Sequence, residues 1–250
     1  MIDKIVLLAA GKGTRMLKLS QNKPKHLIQV NGRPFLYHLL KRIQRAGFKK
    51  IILIIGYKKE KMYRFAENYK HEFDLKLVDQ FKILGKTRYG TACPVECAAN
   101  VIKNENFVVS NGDDMFSLED FKRIRKFDDK FCYASGTASQ HPESFGIFII
   151  KNNFLKKIKE KPKPGIDFNP SQADKYLVNA GLYKFTSDIF KAIQRIKVSP
   201  RGEYELTDAI NLLAKDNKVK IYKLQKDWLT FSQPEDVAKM GKHLNPSITG

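Results

Sequence analysis

The amino-acid sequence predicts an α/β protein built around a Rossmann-like open sheet, and three observations support that fold class. Residues 5–9 and 51–55 are short apolar runs, typical of strands in a parallel sheet that is covered on both faces. Between them, residues 34–46 carry apolar side chains at the spacing of one helical face. Strand-like and helix-like stretches go on alternating at short intervals, which is the pattern of an open α/β sheet.

The predicted elements of the first half have clear boundaries. The helix at 34–46 begins at Pro34, a residue favoured in a first helical turn, and ends before Gly47. Ligands bind beyond the carboxyl ends of the strands in such sheets, so the residues after each strand are candidate site residues. The elements are a strand at 5–9 followed by Gly11 and Gly13, the helix at 34–46, a strand at 51–55, a helix at 58–69, a strand at 75–78, a helix-like run at 94–101, and a strand at 107–110 that ends at Asn111-Gly112-Asp113-Asp114.

The second half has a more mixed pattern, with no internal repeat and no low-complexity tract. Residues 159–170 contain prolines and a glycine and are predicted to form a loop. The other predicted elements are strands at 145–150 and 177–185 and helices at 186–195 and 204–215.

Composition excludes several classes of protein. A chain of 250 residues with 42% hydrophobic and 29% charged residues can bury a core and is neither disordered nor collagen-like. Its apolar runs are much shorter than the about 20 residues that cross a bilayer, and its N-terminus lacks the layout of a signal peptide. Cys93, Cys97 and Cys132 are too few for a disulfide framework and form no zinc set. We expect buried thiols in a reducing cytoplasm.

The formal net charge of +20 predicts an anionic partner: a nucleic acid, a membrane surface or a phosphorylated small molecule. Residues 1–70 hold 17 basic and 3 acidic residues, so most of the excess lies near the N-terminus. Part of it belongs to the solvated face of a helix. Lys12, Arg15 and Lys25 instead stand in a glycine-containing loop and its continuation, where cations suit phosphate oxygens.

That loop, residues 8–16, reads Leu-Ala-Ala-Gly-Lys-Gly-Thr-Arg-Met. Its two glycines allow a tight turn and let backbone N–H groups approach a phosphate. A dinucleotide-binding fingerprint would need a third glycine where Met16 stands, and a Walker A loop would need a glycine where Gln80 precedes Gly85-Lys86-Thr87. An ordinary turn would explain the glycines alone, but it does not explain their combination with Arg15 and the later Pro24-Lys25.

Together, Gly11-x-Gly13-Thr14-Arg15-Met16 and Pro24-Lys25 resemble the sugar-1-phosphate nucleotidylyltransferases, a family that includes glucose-1-phosphate thymidylyl- and uridylyltransferases. The resemblance implies a mixed sheet of the nucleotide-diphospho-sugar transferase type in a three-layer α/β/α arrangement. It implies a single catalytic domain over residues 1–250, with a nucleotide half at about 1–115 and a sugar-phosphate half at about 116–245. No acyltransferase-like segment follows, so we expect a monofunctional enzyme.

The resemblance also assigns roles on the nucleotide side. Arg15 would meet the β- and γ-phosphates, Lys25 the phosphates at the reacting end, and Asp113 would bind Mg²⁺, a hard cation that favours oxygen ligands. Gln80 would read the base, since a carboxamide offers both a donor and an acceptor to uracil or thymine. The Gly-Thr near the base is either Gly85-Lys86-Thr87 or, preferably, Gly90-Thr91. The nucleotide-binding residues implied are Leu8, Ala9, Ala10, Gly11, Gly13, Thr14, Gln80, Gly90, Thr91 and Gly112.

On the sugar side, Glu160 would accept sugar hydroxyls and Lys161 would hold the sugar phosphate. Gly146, Asn179 and Glu203 would line the sugar.

The sequence departs from the family where Trp228-Leu229-Thr230 resembles Trp-x-Asp. Thr230 stands in place of the Asp that would be a second Mg²⁺ ligand, and a hydroxyl is a weaker, neutral ligand. Asp227 could replace it only if the backbone shifted. Lys18 replaces a proline between Arg15 and Pro24-Lys25.

The leading hypothesis is an enzyme of the EC 2.7.7 class that uses Mg²⁺ to join UTP or dTTP and a sugar-1-phosphate. This hypothesis includes no nucleic-acid or membrane partner and leaves open a monomer or a homo-oligomer. The alternative, motivated by Thr230, is a nucleotide-sugar-binding or catalytically weakened homologue with a regulatory role. A nucleic-acid-binding protein is a third hypothesis that rests on the net charge, although the sequence has no RNP-like or zinc signature.

Overall fold

A computed structural model of the protein describes residues 1–226 and 228–244. Most of its strands join one nine-stranded sheet, and the others form two short pairs, β2 with β3 and β7 with β13. The strands are β1 (Lys4–Ala9), β2 (Gln29–Val30), β3 (Arg33–Pro34), β4 (Lys50–Ile55), β5 (Leu75–Asp79), β6 (Phe107–Asn111), β7 (Asp114–Met115), β8 (Cys132–Ala138), β9 (Gly146–Lys151), β10 (Phe154–Glu160), β11 (Leu177–Phe185), β12 (Val219–Lys223) and β13 (Leu229–Thr230).

Helices cover both faces of the sheet. None of the helices in residues 1–226 and 228–244 has the length and apolar character that crossing a bilayer requires. The helices are α1 (Phe35–Arg45), α2 (Lys59–Asn68), α3 (Gln80–Leu84), α4 (Ala92–Cys97), α5 (Ala99–Ile102), α6 (Leu118–Ile124), α7 (Asp188–Ile193), α8 (Leu206–Lys215) and α9 (Asp236–Leu244).

The sheet is mixed, in the order β5-β4-β1-β6-β11-β8-β12-β10-β9. Strands β5, β4, β1 and β6 are parallel, and β11 runs antiparallel to both β6 and β8. After β1 the chain first adds β4 and β5 at one edge of β1 in the sheet, and it later adds β6 at the opposite edge of β1. The strand order thus reverses its direction of growth between β1 and β6, and ligands bind at such a switch point.

Alternation of side chains along β1 produces the three layers. Ile5 and Leu7 belong to one core, together with residues of α1, α2, α6 and α9 such as Leu36. Val6 belongs to the core on the opposite face, together with residues of α4, α5, α7 and α8 such as Ile210. Successive side chains of a strand point to opposite faces, so apolar residues at every position need a cover on both sides. The predicted fold class, with its mixed sheet and three layers, is confirmed.

The structure corrects several predicted boundaries. The run at 94–101 forms two short helices, α4 and α5, and the helices predicted at 186–195 and 204–215 are the shorter α7 and α8. Lys159 and Glu160, predicted to begin a loop, are instead the last residues of β10, where they pair with β9. In the first half, the predicted strands and helices match β1, α1, β4, α2, β5 and β6 within two residues.

Candidate active site

A cleft of about 580 Å³ lies at the carboxyl ends of β1 and β6, where the sequence predicts a binding site. Nine of the residues predicted to bind substrate line it, including Lys25 and Asp113. The side chain of Ala9 is buried in the core, so only its backbone can face a ligand. The lining residues are Leu8, Ala10, Gly11, Lys12, Lys25, His26, Gln80, Phe81, Lys86, Tyr89, Gly90, Thr91, Pro94, Asn111, Asp113 and Glu203.

The two loops of the switch point are in direct contact. The N–H of Gly112 donates to the carbonyl of Leu8 at 3.0 Å. A side chain at position 112 would bring its Cβ within 2.7 Å of that carbonyl oxygen, so the contact requires glycine. Gly112 thereby holds Asp113 beside the loop that follows β1.

The glycine loop turns at Gly13, whose φ of 65° lies in the left-handed region. Its carbonyl accepts a hydrogen bond from the Oγ of Ser20 at 2.8 Å, which closes the 3-10 turn Thr14–Ser20. Gly11 and Lys12 reach the cleft, whereas Thr14 and Arg15 are exposed on the turn and lie outside the lining. The structure therefore does not place Arg15 among the residues that line the cleft.

Lys25 and Asp113 form an ion pair in the cleft between their ammonium and carboxylate groups. Their side chains are only 12% and 21% exposed, so the pair is largely desolvated. Burial alone would raise the pKa of Asp113, but the adjacent Lys25 ammonium outweighs it and holds that pKa below its ordinary value. Asp113 is thus a carboxylate at neutral pH, as a cation ligand must be.

His26 also lines the cleft, and the sequence reasoning did not single it out. Its side chain is 1% exposed, and neither ring nitrogen has a hydrogen-bond partner among the described residues. Burial, and then the charge of Lys25, lower its pKa to about 3, so the imidazole is neutral. The only signal in the sequence was its position next to Pro24-Lys25.

Asp114 turns away from the cleft and is buried, and its carboxyl accepts a hydrogen bond from Nδ2 of Asn111 at 2.9 Å. Burial, followed by the charge of Asp113, raises the pKa of Asp114. Thr230 pairs with Asp114 across β7 and β13, and the N–H of Phe231 donates to the carbonyl of Asp113 at 2.7 Å. Position 230 therefore lies next to the two aspartates.

The donor set fits a cation held mainly by phosphate. Residues 1–226 and 228–244 contain no group of three or more His, Cys, Asp or Glu that could hold a metal by themselves. Mg²⁺ is commonly bound by one or two carboxylates together with substrate phosphates and water. The ionised Asp113 in the cleft meets that requirement. Asp227, considered above as a substitute ligand, lies outside the described residues.

Gln80 occupies a fixed position at the start of α3. The carboxylate of Asp79 accepts hydrogen bonds from the N–H groups of Phe81 and Lys82 at 3.0 and 3.2 Å, and it pairs with Lys59 at 2.6 Å. The side chain of Gln80 is 3% exposed, and its Oε1 finds no hydrogen-bond partner in the described part of the chain. An unsatisfied acceptor in a cleft is suited to receive an N–H from a bound base.

Gly90 and Thr91 line the cleft ahead of α4, so the helix expected after them is confirmed. Neither Gly85 nor Thr87 is in the lining, although Lys86 is. The Oγ1 of Thr91 accepts a hydrogen bond from the N–H of Leu206 at 2.8 Å and so anchors the start of α8. This hydroxyl has a structural partner that the sequence did not indicate.

Replacing Gly90 by alanine is expected to destabilise the protein by about 2 kcal/mol, a strain typical of a forced backbone conformation. Its φ is 133°, and an added Cβ would stand 2.3 Å from the carbonyl oxygen of Tyr204. Gly85→Ala is the matched control, because Gly85 also has a positive φ but its Cβ would meet no atom within 4 Å. Thermal unfolding of both variants checks this, and an equal loss of Tm in the two would contradict it.

Of the residues predicted to bind the sugar, only Glu203, which precedes α8, lines the cleft. Gly146 lies on β9, Glu160 ends β10, Lys161 follows it, and Asn179 lies on β11. Gly146 pairs with Glu160 across β9 and β10, and burial raises the pKa of the Glu160 carboxyl. The Oδ1 of Asn179 accepts a hydrogen bond from the hydroxyl of Tyr183 at 2.9 Å. Lys161 is exposed and donates to the carbonyl of Ser144 at 2.6 Å.

Comparison with known proteins places nearly all of the described chain in one family. Residues 4–244 match the family model described as Nucleotidyl transferase. The bifunctional protein GlmU of Methanocaldococcus jannaschii is 36% identical over 97% of this chain and 54% of its own length. The bifunctional sugar-1-phosphate nucleotidylyltransferase/acetyltransferase of Sulfurisphaera tokodaii is 32% identical over 96% of this chain and 55% of its own length. The chain thus spans about half the length of these curated relatives.

A shorter relative matches from end to end. The UTP–glucose-1-phosphate uridylyltransferase AglF of Haloferax volcanii is 28% identical over 98% of this chain and 97% of its own length. Among solved structures, UDP-glucose pyrophosphorylase complexed with UDP-glucose superposes with a TM-score of 0.80 at 20% identity, covering 99% of this chain and 100% of its own. The enzyme of that name from Acinetobacter baumanii gives 0.77 at 22% identity, covering 99% and 94%. These two structural matches support the assignment of the fold.

Proposed function

The chain belongs to the nucleotidyl transferase family, and we propose that it joins a pyrimidine nucleoside triphosphate to a sugar-1-phosphate, giving a nucleotide-sugar and pyrophosphate. One observation carries the proposal: the partly buried Lys25–Asp113 ion pair stands beside the glycine loop at the switch point of the sheet. A cation, a cation ligand and free backbone N–H groups at one point are what a triphosphate needs.

The proposed chemistry is an in-line displacement at phosphorus. A phosphate oxygen of the sugar-1-phosphate forms a bond to the α-phosphorus, and the bond from that phosphorus to the bridging oxygen of the β-phosphate breaks. The electron pair leaves with pyrophosphate. No protein nucleophile is required, so positioning and charge stabilisation carry the rate.

The residues of this chain supply the fixed charges. Lys25 in the cleft and Arg15 on the exposed turn after the glycine loop would neutralise phosphate oxygens as negative charge builds on the leaving group. Lys12 and Lys86, which also line the cleft, add to the positive potential there. Asp113 would hold Mg²⁺, which when bound supplies charge neutralisation of the triphosphate.

The base is proposed to be uracil or thymine, recognised by Gln80. The names of the relatives, which include a UTP–glucose-1-phosphate uridylyltransferase, favour UTP. We propose that residues 1–115 form the nucleotide-binding half and that residues at about 116–245 bind the sugar-1-phosphate. The proposed contacts to the sugar-1-phosphate are Gly146, Glu160, Lys161, Asn179 and Glu203. Glu203 lines the same cleft as Gln80, which supports a sugar-phosphate site adjacent to the nucleotide site.

Incubation of the purified protein with Mg²⁺, each of UTP, dTTP, CTP, ATP and GTP, and a panel of sugar-1-phosphates tests the proposal. Release of pyrophosphate with UTP or dTTP and at least one sugar-1-phosphate is the expected result. No release from any pair would contradict it.

Arg15→Ala is expected to lower kcat/KM about a hundredfold, because removal of one charge-stabilising donor commonly has an effect of that size. Lys18→Ala is the control, since Lys18 is an exposed cation on the same 3-10 turn. Steady-state kinetics with UTP measure both. Equal activity of Arg15→Ala and Lys18→Ala would show that the guanidinium has no role in the reaction.

Gln80→Leu is expected to raise KM for the nucleotide about tenfold while kcat changes little, because contacts to the base act alike in the ground and transition states. Leucine keeps the volume of a buried side chain and removes its polar atoms. Gln29→Leu, at an exposed position of β2, is the control. An unchanged KM for UTP would remove Gln80 from the site.

A second candidate function is a nucleotide-sugar-binding homologue with little turnover, and the position of Thr230 opposite Asp114 favours it. That reading predicts nucleotide binding without pyrophosphate release, and a gain of activity in Thr230→Asp. Robust turnover by the wild-type protein would exclude it.

A further inference from the structure

A second cavity, of about 500 Å³, is lined by residues of β10 and α8 and by the segment at 195–200 that follows α7. It shares no lining residue with the cleft at β1 and β6. We call it the basic pocket, because five of its lining residues are cations and only Asp208 is acidic. The cations are Lys156, Lys157, Arg195, Lys197 and Lys215.

The positive charge of the basic pocket is not neutralised by the protein itself. Lys156 donates to the Oδ1 of Asn217 at 2.5 Å. The charged groups of Lys157, Arg195, Lys197 and Lys215 make no ion pair or hydrogen bond with any described residue. Several cations around one concavity raise the local positive potential and attract counter-ions.

The walls of the basic pocket are held firmly. The side chain of Asn211 accepts from the N–H of Ile158 at 2.7 Å and donates to its carbonyl at 3.1 Å, which fastens α8 to β10. The N–H of Ser199 donates to the carbonyl of Glu203 at 2.8 Å, and the Ser199 hydroxyl donates to Glu205 at 3.1 Å. The cations therefore project from a fixed frame.

We propose that the basic pocket is a second anion site, separate from the cleft at β1 and β6, which takes a nucleoside diphosphate. Lysine ammonium groups and the two-pronged guanidinium of Arg195 suit a diphosphate. Ile196, Val198 and Leu212 add apolar surface for the organic part. A cavity of this volume is in the range of small-molecule sites, whereas nucleic acid is bound along extended basic surfaces.

Calorimetric titration of the full chain with UDP tests the second site through the number of molecules bound. The triple variant Lys157→Glu/Lys197→Glu/Lys215→Glu changes three exposed residues of the basic pocket. The matched control, Lys61→Glu/Lys76→Glu/Lys126→Glu, changes the net charge equally at three exposed lysines outside it. We expect the pocket variant to bind one UDP per chain fewer than the wild type, and the control to bind as many as the wild type.

Two outcomes would overturn the proposal. Either the pocket variant binds as many UDP molecules as the wild type, whether that number is two, one or none, or the control variant loses the same molecule as the pocket variant. Unchanged Tm values of the variants show that the fold is intact. The test does not depend on turnover, so a failure of the proposed catalytic function leaves its result readable: the difference between wild type and pocket variant reports the second site alone.

Discussion

Asp113→Asn is expected to lower kcat/KM about a thousandfold, the upper range for loss of one charge-stabilising group. The side chain is the ionised carboxylate of the cleft, and asparagine keeps its shape while removing the charge that a cation requires. Asp114 is not expected to take over, because its carboxyl is buried and bound by Asn111.

Steady-state kinetics at several Mg²⁺ concentrations check this, with the apparent Mg²⁺ requirement expected to rise together with the loss of rate. Asp74→Asn is the control, since Asp74 is exposed and outside the cleft. Near-normal turnover of Asp113→Asn, with an unchanged dependence on Mg²⁺, would contradict the assignment of this carboxylate.

Lys25→Met is expected to lower kcat about a hundredfold, because a desolvated cation acts most strongly on the charge that develops as pyrophosphate leaves. Methionine preserves much of the aliphatic stem that packs at the cleft floor. Lys23→Met is the control: Lys23 is half-buried, lies two residues away and does not line the cleft. If kcat for Lys25→Met equalled that of the control, the cation would have no part in the chemical step.

The double variant Asp113→Asn/Lys25→Met extends both predictions. Each single substitution leaves the partner charge in a desolvated pair without its counter-ion. The combined loss of kcat/KM should therefore be smaller than the product of the two single losses, as residues that act as a unit are not additive. Strictly multiplicative losses would contradict a shared role.

The first half of the fold was predictable because most of its long strands carry a continuous apolar run. The segment Lys-Ile-Ile-Leu-Ile-Ile of β4 can only be buried on two faces, and the helices between such strands carry one apolar stripe each. The second half was harder. In β10 and β12 lysines interrupt the apolar residues without a regular two-residue alternation, and β8 is rich in small residues, so periodicity did not mark these strands.

The site was predictable where a motif fixes backbone geometry. The glycines of the motifs predict a tight turn at Gly13, which has a positive φ. They also predict the close approach of the backbone at Gly112 to the loop after β1. The roles that depend on tertiary contacts were not. His26 becomes a cleft residue only through its packing, and Thr91 caps α8 because Leu206, distant in sequence, folds against it.

The most direct test of the account is a crystal structure of the protein with UTP and Mg²⁺. The triphosphate is predicted to lie at the carboxyl end of β1, with N–H groups of residues 11–13, the guanidinium of Arg15 and the ammonium of Lys25 within hydrogen-bond distance of its oxygens. A nucleotide whose triphosphate lay away from that turn, with neither the glycine loop nor Lys25 in contact, would contradict it.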